Sequence, residues 1–440
     1  MLTDTIFARA SGAGQAAVAV LRLSGPGTAA AVARLAGKLP APRQASLRRL
    51  RDPDGGEVLD EALVLWFPGP ASYTGEDAAE LHLHGGSAVV AAVTEALAGL
   101  GCRPAEPGEF TRRAFLQGRM DLTQAEAIAD LIAAETTAQR RQALRQADGA
   151  LARLYGGWTE RLTRILAQQE AAIEFEMDDL PTDVADRARE AASTLAREID
   201  AHLDDGKRGE RLREGLSIAI LGAPNAGKSS LLNALAGRDA AIVSPMPGTT
   251  RDIVECRLEL GGVPAIIADT AGLRTSTDAI EQEGVRRALR RAEEADLLII
   301  AFAADAPPDE ETLALLRQAP GAIIVATKCD LAPAPALDTP GTAIPTSART
   351  GEGLDQLRQV LAREAARHAG LGEAPALTRS RHRAALTEAA EQLRLAKRAP
   401  LPELAAEGYR AALLAIGRVT GRVDVERILD SIFRDFCIGK

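Results

Sequence analysis

The sequence predicts a multidomain α/β chain. An N-terminal α+β domain comes first, then a helical-bundle domain in two separated pieces, with a doubly wound α/β domain inserted between them. Three observations carry this. The 440 residues suffice for about three domains. The apolar period switches from strand-like to helix-like near Asp121, and back near Leu216. It turns helical again after the Gly/Pro-rich stretch GLGEAPAL at 370–377.

Within residues 1–118, AVAVLRL (17–23), EALVLWF (61–67) and AELHLH (79–84) read as strands, and SAVVAAVTEALAGL (87–100) as a helix ending before Gly101. From 119 to 213 apolar residues recur at helical spacing: Leu122, Ala125, Ile128, Ala129 and Ile132; then Leu151, Leu154, Tyr155, Trp158, Leu162, Ile165 and Leu166; then Leu195, Ile199 and Leu203. Gly149 and the Gly156–Gly157 pair are expected to kink or break that pattern. Between 214 and 368, LSIAIL, DIVECRLEL, AIIAD, LLIIAF and AIIVAT alternate with helices, a mainly parallel layout. Helical periodicity fills 369–440.

Composition excludes several classes. Net charge is −9, so any nucleic-acid surface must be a local basic patch. Apolar residues at 46% and charged at 26% rule out a largely disordered chain. Eight Phe, three Tyr and two Trp are too few for base-stacking platforms. No run approaches the ~18 apolar residues of a membrane span, and the N-terminus lacks the basic start of a signal peptide. Cys102, Cys256, Cys329 and Cys437 lie far apart without CxxC spacing, which argues against disulfides or a zinc site. A cytoplasmic protein without membrane association is the expectation.

The strongest motif is Gly222-Ala-Pro-Asn-Ala-Gly227-Lys228-Ser229, placed after a strand and before the helix SSLLNALAG. Its backbone N–H groups can converge on phosphate oxygens, with Asn225, Ala226, Gly227 and Ser230 lining the loop. Lys228 would reach the β/γ-phosphates and Ser229 would ligate Mg²⁺. Companions follow in order. Pro247, Gly248, Thr249 and Thr250 form a switch-like PGTT. Asp269, Thr270, Ala271 and Gly272 follow the strand AIIA. Thr327, Lys328 and Asp330 form a base-reading motif in which Asp330 accepts two N–H groups of guanine. Ser347, Ala348 and Arg349 can donate a backbone N–H to guanine O6. Together these resemble the five motifs of translation-factor-class GTPases, with Thr327 standing where Asn is usual.

Two absences shape the mechanism. Leu273 follows Gly272, so a Ras-type Gln is missing, and no arginine finger is evident. Asn225, with carbonyls of Ser244, Met246 and Thr249, could hold a monovalent cation where a guanidinium would sit; a turn-stabilising amide is the equal alternative. Asp278, Glu281 and Glu283 are the nearby carboxylates for positioning water.

With these residues in hand the chain resembles the MnmE (TrmE) family of tRNA-modification GTPases. The resemblance rests on GAPNAGKSSLLNALAGRDAAIV, PGTTRD and DTAGLR, on LRLSG (21–25), LWFPGPASYTGED (65–77) and PGEFTRRAFLQGRMDLTQAEAIADLI (107–132), and on the terminal Cys437-Ile-Gly-Lys440. It implies a folate-binding, dimerising N-terminal domain, a helical domain and an inserted P-loop GTPase domain activated by potassium. Asn225, Ser244, Met246 and Thr249 then fall on the potassium loop, with Pro245 and Pro247 stiffening it. Ser229 and Thr250 fall on Mg²⁺, and Glu281 on water positioning. Asn225, Lys228 and Glu281 are the catalytic set. Arg22, Glu80, Arg119 (commonly Lys in the family) and Lys440 match contacts to 5-formyl- or 5,10-methylene-tetrahydrofolate. The implied reaction adds an aminomethyl or carboxymethylaminomethyl group to carbon 5 of the wobble uridine of tRNA. A homodimer would work in a heterotetramer with an FAD-dependent MnmG-family partner, since this chain carries no G-x-G-x-x-G fingerprint of its own.

Blander readings remain. Glu80, His82 and His84 share a strand face and mimic a metal cluster. Cys437 is an auxiliary thiol or merely a small buried side chain. Arg286, Arg287, Arg290 and Arg291 read as a solvated helix face, and Arg379, Arg381, His382 and Arg383 as a tRNA phosphate contact. The alternatives are a ribosome-assembly or translation-factor-type GTPase acting as a binding switch, which leaves residues 1–118 unexplained, and a structural switch module without catalysis.

Overall fold

The computed structural model describes residues 3–174, 184–239, 255–269, 295–337, 341–370, 375–423, 429, 432–434 and 436–439. Contacts divide the chain into two compact units: Met1–Ala129 with Gln146–Arg164 and Leu413–Lys440, and Asp130–Arg145 with Ile165–Ala412. Among the described residues no helix is long and apolar enough to cross a membrane.

The first unit holds a six-stranded mixed sheet of order β3-β4-β5-β2-β1-β6. Its strands are β1 (Ile6–Arg9), β2 (Ala16–Ser24), β3 (Ser46–Arg51), β4 (Val58–Phe67), β5 (Ala78–Gly85) and β6 (Arg103–Pro104). Side chains alternate on β2 and β5. Ala19, Leu21, Leu23, Ala79, Leu81 and Leu83 are buried, while Arg22 and Glu80, paired directly opposite each other, project from the other face. Helices α1 (Thr28–Ala36) and α2 (Ser87–Gly99) cover the buried face, adding Val32, Leu35, Val93 and Leu97 to its core. Each such side chain contributes about 1.5–3 kcal/mol on burial. The opposite face is roofed at its β1 end by α3 (Glu109–Leu116), where Phe110 packs with Ile6, Ala8 and Ala105. Strands β1 and β3 escape a reading of apolar alternation: β1 is four residues long, and β3 (SLRRLR) is an edge strand with arginines on its open side.

Beneath α3 lies an ion cluster. Arg113, 1% exposed, donates through Nη1 to Asp4 O (3.0 Å) and Glu76 Oε2 (3.1 Å), and through Nη2 to Asp4 Oδ1 (2.9 Å) and Glu109 Oε1 (3.0 Å). Arg103 grips Glu109 with both terminal nitrogens (2.9 and 2.6 Å) and Asp4 with Nε (2.6 Å). Burial pushes the Glu109 carboxyl up, but bonds from Arg103, the Glu106 N–H and Arg113 outweigh it and leave it below its ordinary value. Asp4 is lowered too: burial opposes the shift, and Arg103 and Arg113 prevail.

The helical stretches contribute to both units. They comprise α4 (Leu122–Ala133), α5 (Thr137–Ala147), α6 (Ala150–Glu174), α7 (Val184–Leu203) and α8 (Arg208–Glu214). Helix α6 runs unbroken through Gly156 and Gly157, against the expected kink; Tyr155, Trp158 and Leu162 on either side are buried, and that packing overrides the helix-weakening glycines. In the first unit Leu122 and Ala125 of α4 pack with Leu429, Phe433 and Phe436 of the C-terminal tail.

The second unit contains another six-stranded sheet, of order β12-β11-β10-β7-β9-β8. It is parallel except for β8 (Glu255–Leu260), which runs antiparallel to β9 (Val263–Asp269). The others are β7 (Leu216–Leu221), β10 (Leu297–Ala303), β11 (Ile323–Thr327) and β12 (Ile344–Pro345). Helices α9 (Lys228–Asp239), α10 (Glu310–Gln318) and α11 (Leu354–Ala369) complete this α/β part. Helix α10 starts where the Asp309 carboxylate accepts the Thr312 N–H, and α11 buries Leu354, Leu357, Leu361 and Ala365 at helical spacing. Beyond it, α12 (Ser380–Arg398) packs along α7, and α13 (Pro402–Thr420) follows.

Asp130 of α4 joins the two stretches of chain that flank the sheet: it accepts Arg213 Nε (3.0 Å) just before β7 and Arg379 Nη2 (2.7 Å) just before α12. Arg383 is held by Asp205 (2.7 Å) and Glu210 (3.1 Å). The arginines expected at 379 and 383 to meet tRNA phosphates are instead half-buried in these internal pairs, because each faces a carboxylate from another helix or its connecting loop.

Arg113→Met is expected to cost the first unit about 3–5 kcal/mol by stranding buried carboxylates. Trp66 and Trp158, the chain's two tryptophans, both lie in that unit, so their fluorescence in a urea titration reads the loss. The same probe checks pH dependence. Asp4 and Glu109 are depressed in the folded state, so their stabilisation is complete above the ordinary carboxylate range of ~4. It drains away as pH falls through the folded values.

Candidate functional site

Strand β7 lies between β9 and β10, the position where strand order reverses and a ligand crevice opens at the strands' C-terminal ends. The chain leaves it at Gly222, where φ is +144° and a Cβ would collide with the Ala301 carbonyl of β10. Asn225 (φ +63°) and Gly227 (φ +79°) are also left-handed, and the Ala226 N–H between them closes a tight turn onto Ala223 O (3.2 Å), backbone of the kind that forms anion-binding hollows. The buried Thr327 hydroxyl, at the end of β11, donates to Ala226 O (2.6 Å), with Phe302 O at 3.2 Å. The residue that departs from the usual Asn therefore ties the phosphate loop to the sheet.

Helix α9 begins at Lys228, whose Nζ donates to Gly222 O (2.6 Å) and Ala223 O (2.8 Å), so the ammonium lies across the loop. Ser229 and Ser230 are exposed at the helix start. Asn225 is exposed on the loop, and its side chain makes no hydrogen bond among the described residues.

The residues expected to read the base converge from the end of β11 and from the loop after β12. Asp330 Oδ1 accepts Ser347 Oγ (2.6 Å), and Oδ2 accepts Arg349 Nε (2.8 Å). The Ser347 and Arg349 hydrogen bonds hold its carboxyl below the ordinary range, so it stays an acceptor, as reading guanine's N1–H and 2-amino group requires. Ala348 is exposed, and its N–H has no hydrogen-bond partner among the described residues. Lys328 Nζ lies 3.3 Å from Asp305.

Other expected positions fall elsewhere. Ser244, Pro245, Met246, Pro247, Gly248, Thr249, Thr250, Thr270, Ala271, Gly272, Glu281 and Lys440 lie outside the described residues, as do Asp278, Glu283 and Arg286 to Arg291; of Asp269 only the strand backbone is described.

A second polar site lies on the first unit's sheet. Arg22 Nη2 and Nε hold Glu80 Oε1 at 2.9 and 3.2 Å, while His82 Nε2 stands 3.3 Å from Oε2. Burial pushes the Glu80 carboxyl up, but Arg22 and then His82 pull it below its ordinary value. The Arg22 guanidinium sits 5.6 Å from the Tyr73 ring centroid and 5.9 Å from that of Phe110. The C-terminal tail closes this corner: Arg22 Nη1 reaches Gly439 O (3.4 Å), and a Cβ on Gly439 would strike the Arg9 carbonyl. Arg119 is exposed with its stem against Gly75, and its side chain makes no hydrogen bond or ion pair among the described residues. Tyr73, Phe110 and Gly439 were not singled out in the sequence, although all lie in or beside distinctive blocks (SYTGED, PGEFT, CIGK). Their convergence on Arg22 appears only when α3 and the tail fold over the sheet.

Glu80, His82 and His84 do not form a metal cluster. His84 Nδ1 is 2.7 Å from Asp60 instead, and no group of three or more metal-ligating residues occurs among those described. All four cysteines are free, Cys102 buried and Cys437 exposed.

A mainly parallel sheet delivering a Gly-x4-Gly-Lys-Ser loop from its central strand defines a P-loop nucleotide-binding protein. The family model described as "GTP-binding protein TrmE N-terminus" matches residues 5–119, and "MnmE helical domain" matches 122–437. The chain is 55% identical to the tRNA modification GTPase MnmE of Rhodospirillum rubrum, over all of both chains. It is 56% identical to that of Gluconacetobacter diazotrophicus, over 99% of this chain and 98% of that one. Among solved structures, the G domain of the T. maritima FeoB iron transporter is 28% identical, covering 35% of this chain and 98% of that one, with a TM-score of 0.26. The chain belongs to the MnmE family of tRNA modification GTPases.

Thr327→Val keeps the shape but strands the buried Ala226 carbonyl, at a cost of about 1–3 kcal/mol. GDP affinity, read by fluorescent-nucleotide titration, is expected to fall between several-fold and a hundredfold, with the fold intact by circular dichroism.

Proposed function

We propose that this chain is a potassium-activated GTPase that, with an FAD-dependent MnmG-family partner, modifies carbon 5 of the wobble uridine of certain tRNAs with a folate one-carbon unit. The domain plan proposed with it is a folate-binding and dimerising domain at 1–118, helical segments at 119–213 and 369–440, and a GTPase domain at 214–368. A cytoplasmic homodimer is the working form. The observation that carries the GTPase reading is the phosphate loop itself: left-handed backbone at Asn225 and Gly227, Lys228 across its hollow, and an Asn225 amide that has no partner among the described residues.

The donor set suits both ions. Ser229 and Thr250 hydroxyls, with Asp269, are hard oxygen ligands fit for Mg²⁺. The Asn225 amide oxygen and the carbonyls of Ser244, Met246 and Thr249 are neutral oxygens fit for K⁺. Potassium bound there supplies the positive charge that an arginine finger supplies in other GTPases. Lys228 exchanges its loop carbonyls for phosphate oxygens, Asp330 and Ala348 select guanine, and Glu281 orients the attacking water.

The Arg22–Glu80 corner fits a reduced folate. An ionised carboxylate accepts paired N–H groups of an aminopyrimidine ring, Arg22 holds that carboxylate in place, and Tyr73 and Phe110 border the corner with aromatic rings. Arg119 and Lys440 add cationic contacts. A folate held there supplies the one-carbon unit, while GTP turnover drives the conformational cycle.

GTP hydrolysis is expected to be at least tenfold faster in potassium than in sodium at equal ionic strength, and Asn225→Ala should abolish the difference while GDP still binds. Equal rates in the two salts would remove the cation mechanism. Glu80→Gln is expected to weaken 5-formyl-tetrahydrofolate binding at least tenfold by calorimetry while GTP hydrolysis is unchanged. A chain that binds no folate would instead favour a GTPase working purely as a binding switch.

A further inference from the structure

Helix α5 is anomalous for its charge. Its eleven residues, TAQRRQALRQA, carry Arg140, Arg141 and Arg145 and no acid, in a chain of net charge −9. One face is committed to the fold. Gln139 Nε2 donates to Arg213 O (3.0 Å) and Gln142 Nε2 to Gly209 O (3.2 Å), Ala143 is buried, and Ala138 packs on the second unit's sheet core. About 180° around the helix, Arg140, Arg141 and Leu144 are exposed, and Arg145 is exposed at their flank.

Neither Arg140 nor Arg141 makes an ion pair or hydrogen bond among the described residues. Other arginines of the same unit behave differently: Arg211, Arg213, Arg379, Arg383, Arg394 and Arg410 each meet a carboxylate. Arg141 and Arg145 also stand four residues apart, a like-charge spacing that weakens an isolated helix. A face whose Arg140 and Arg141 meet no carboxylate among the described residues, while Arg213 and Arg379 of the same unit do, is complementary to a polyanion. Its guanidinium forks suit phosphate oxygens, and it presents no aromatic ring for base stacking.

We propose that the exposed face of α5 binds the phosphate backbone of tRNA through Arg140 and Arg141, with Arg145 beside them, without reading base sequence. This rests on tRNA being the substrate of the chain.

The test is binding of unmodified tRNA to the full-length protein across a salt series, for the unaltered chain, Arg140→Gln/Arg141→Gln, and Arg140→Lys/Arg141→Lys. The glutamine variant is expected to lose at least about tenfold in affinity at low salt and to flatten the slope of log K against log salt by about two, one per lost phosphate contact. The lysine variant should keep the slope, and GTP hydrolysis should be unchanged in both. If the glutamine variant binds tRNA with the original slope, the α5 assignment is overturned while the tRNA reading stands. If the unaltered chain binds no tRNA at any salt, both fall.

Discussion

The nucleotide site depends on one close approach: the backbone at Gly222 lies against the Ala301 carbonyl of β10, with no room for a side chain. That contact lets the loop spring directly from the central strand, so the sheet itself fixes where the loop begins. Thr327 adds a second anchor, its hydroxyl meeting the Ala226 carbonyl from the end of β11. Loop, base motif and sheet are thereby locked into one rigid frame, the kind of preorganisation that anion binding needs. Lys228 occupies the loop's own carbonyls meanwhile, so a phosphate replaces existing hydrogen bonds and not bare vacuum.

In the first unit the organising constraint is different. Arg22 and Glu80 meet across two antiparallel strands, and what makes the pair a site is the covering over it. Phe110 comes from α3, Tyr73 from a loop, and Gly439 from the far end of the sequence. The tail reaches that corner because Phe433 and Phe436 bury themselves beside Leu122 and Ala125. The Arg113 cluster below holds α3 and the chain's first strand in place, and the two guanidiniums that share Asp4 and Glu109 hold those carboxyls below their ordinary range.

Arginine has two distinct uses in the second unit. Asp130 binds Arg213 and Arg379, and Asp296 binds Arg211 while also accepting the Ser217 N–H at the start of β7. These are structural ties where the chain enters the sheet and where it leaves for α12. A run of basic residues in a sequence does not separate such ties from an open cationic face. Only the position of the opposing carboxylates does: Arg379 and Arg383 meet carboxylates within the fold, while Arg140 and Arg141 meet none among the described residues.

Much of this molecule was legible from its residues alone. Local motifs and apolar periods depend on near neighbours in the chain, so the phosphate loop, the base-reading triplets, the main strands of the α/β part and the amphipathic helices could be read in order. Short or edge elements such as β1 and β3 could not, since their apolar content is too small to show a period. Nor could the continuity of α6 through two glycines, which distant packing decides. The tertiary structure alone determined that Thr327 braces the phosphate loop, that Gly439 meets Arg22, and which arginines find carboxylates. Each of those contacts joins residues tens to hundreds of positions apart, and sequence spacing carries no record of which distant side chains the folded backbone brings within hydrogen-bonding reach.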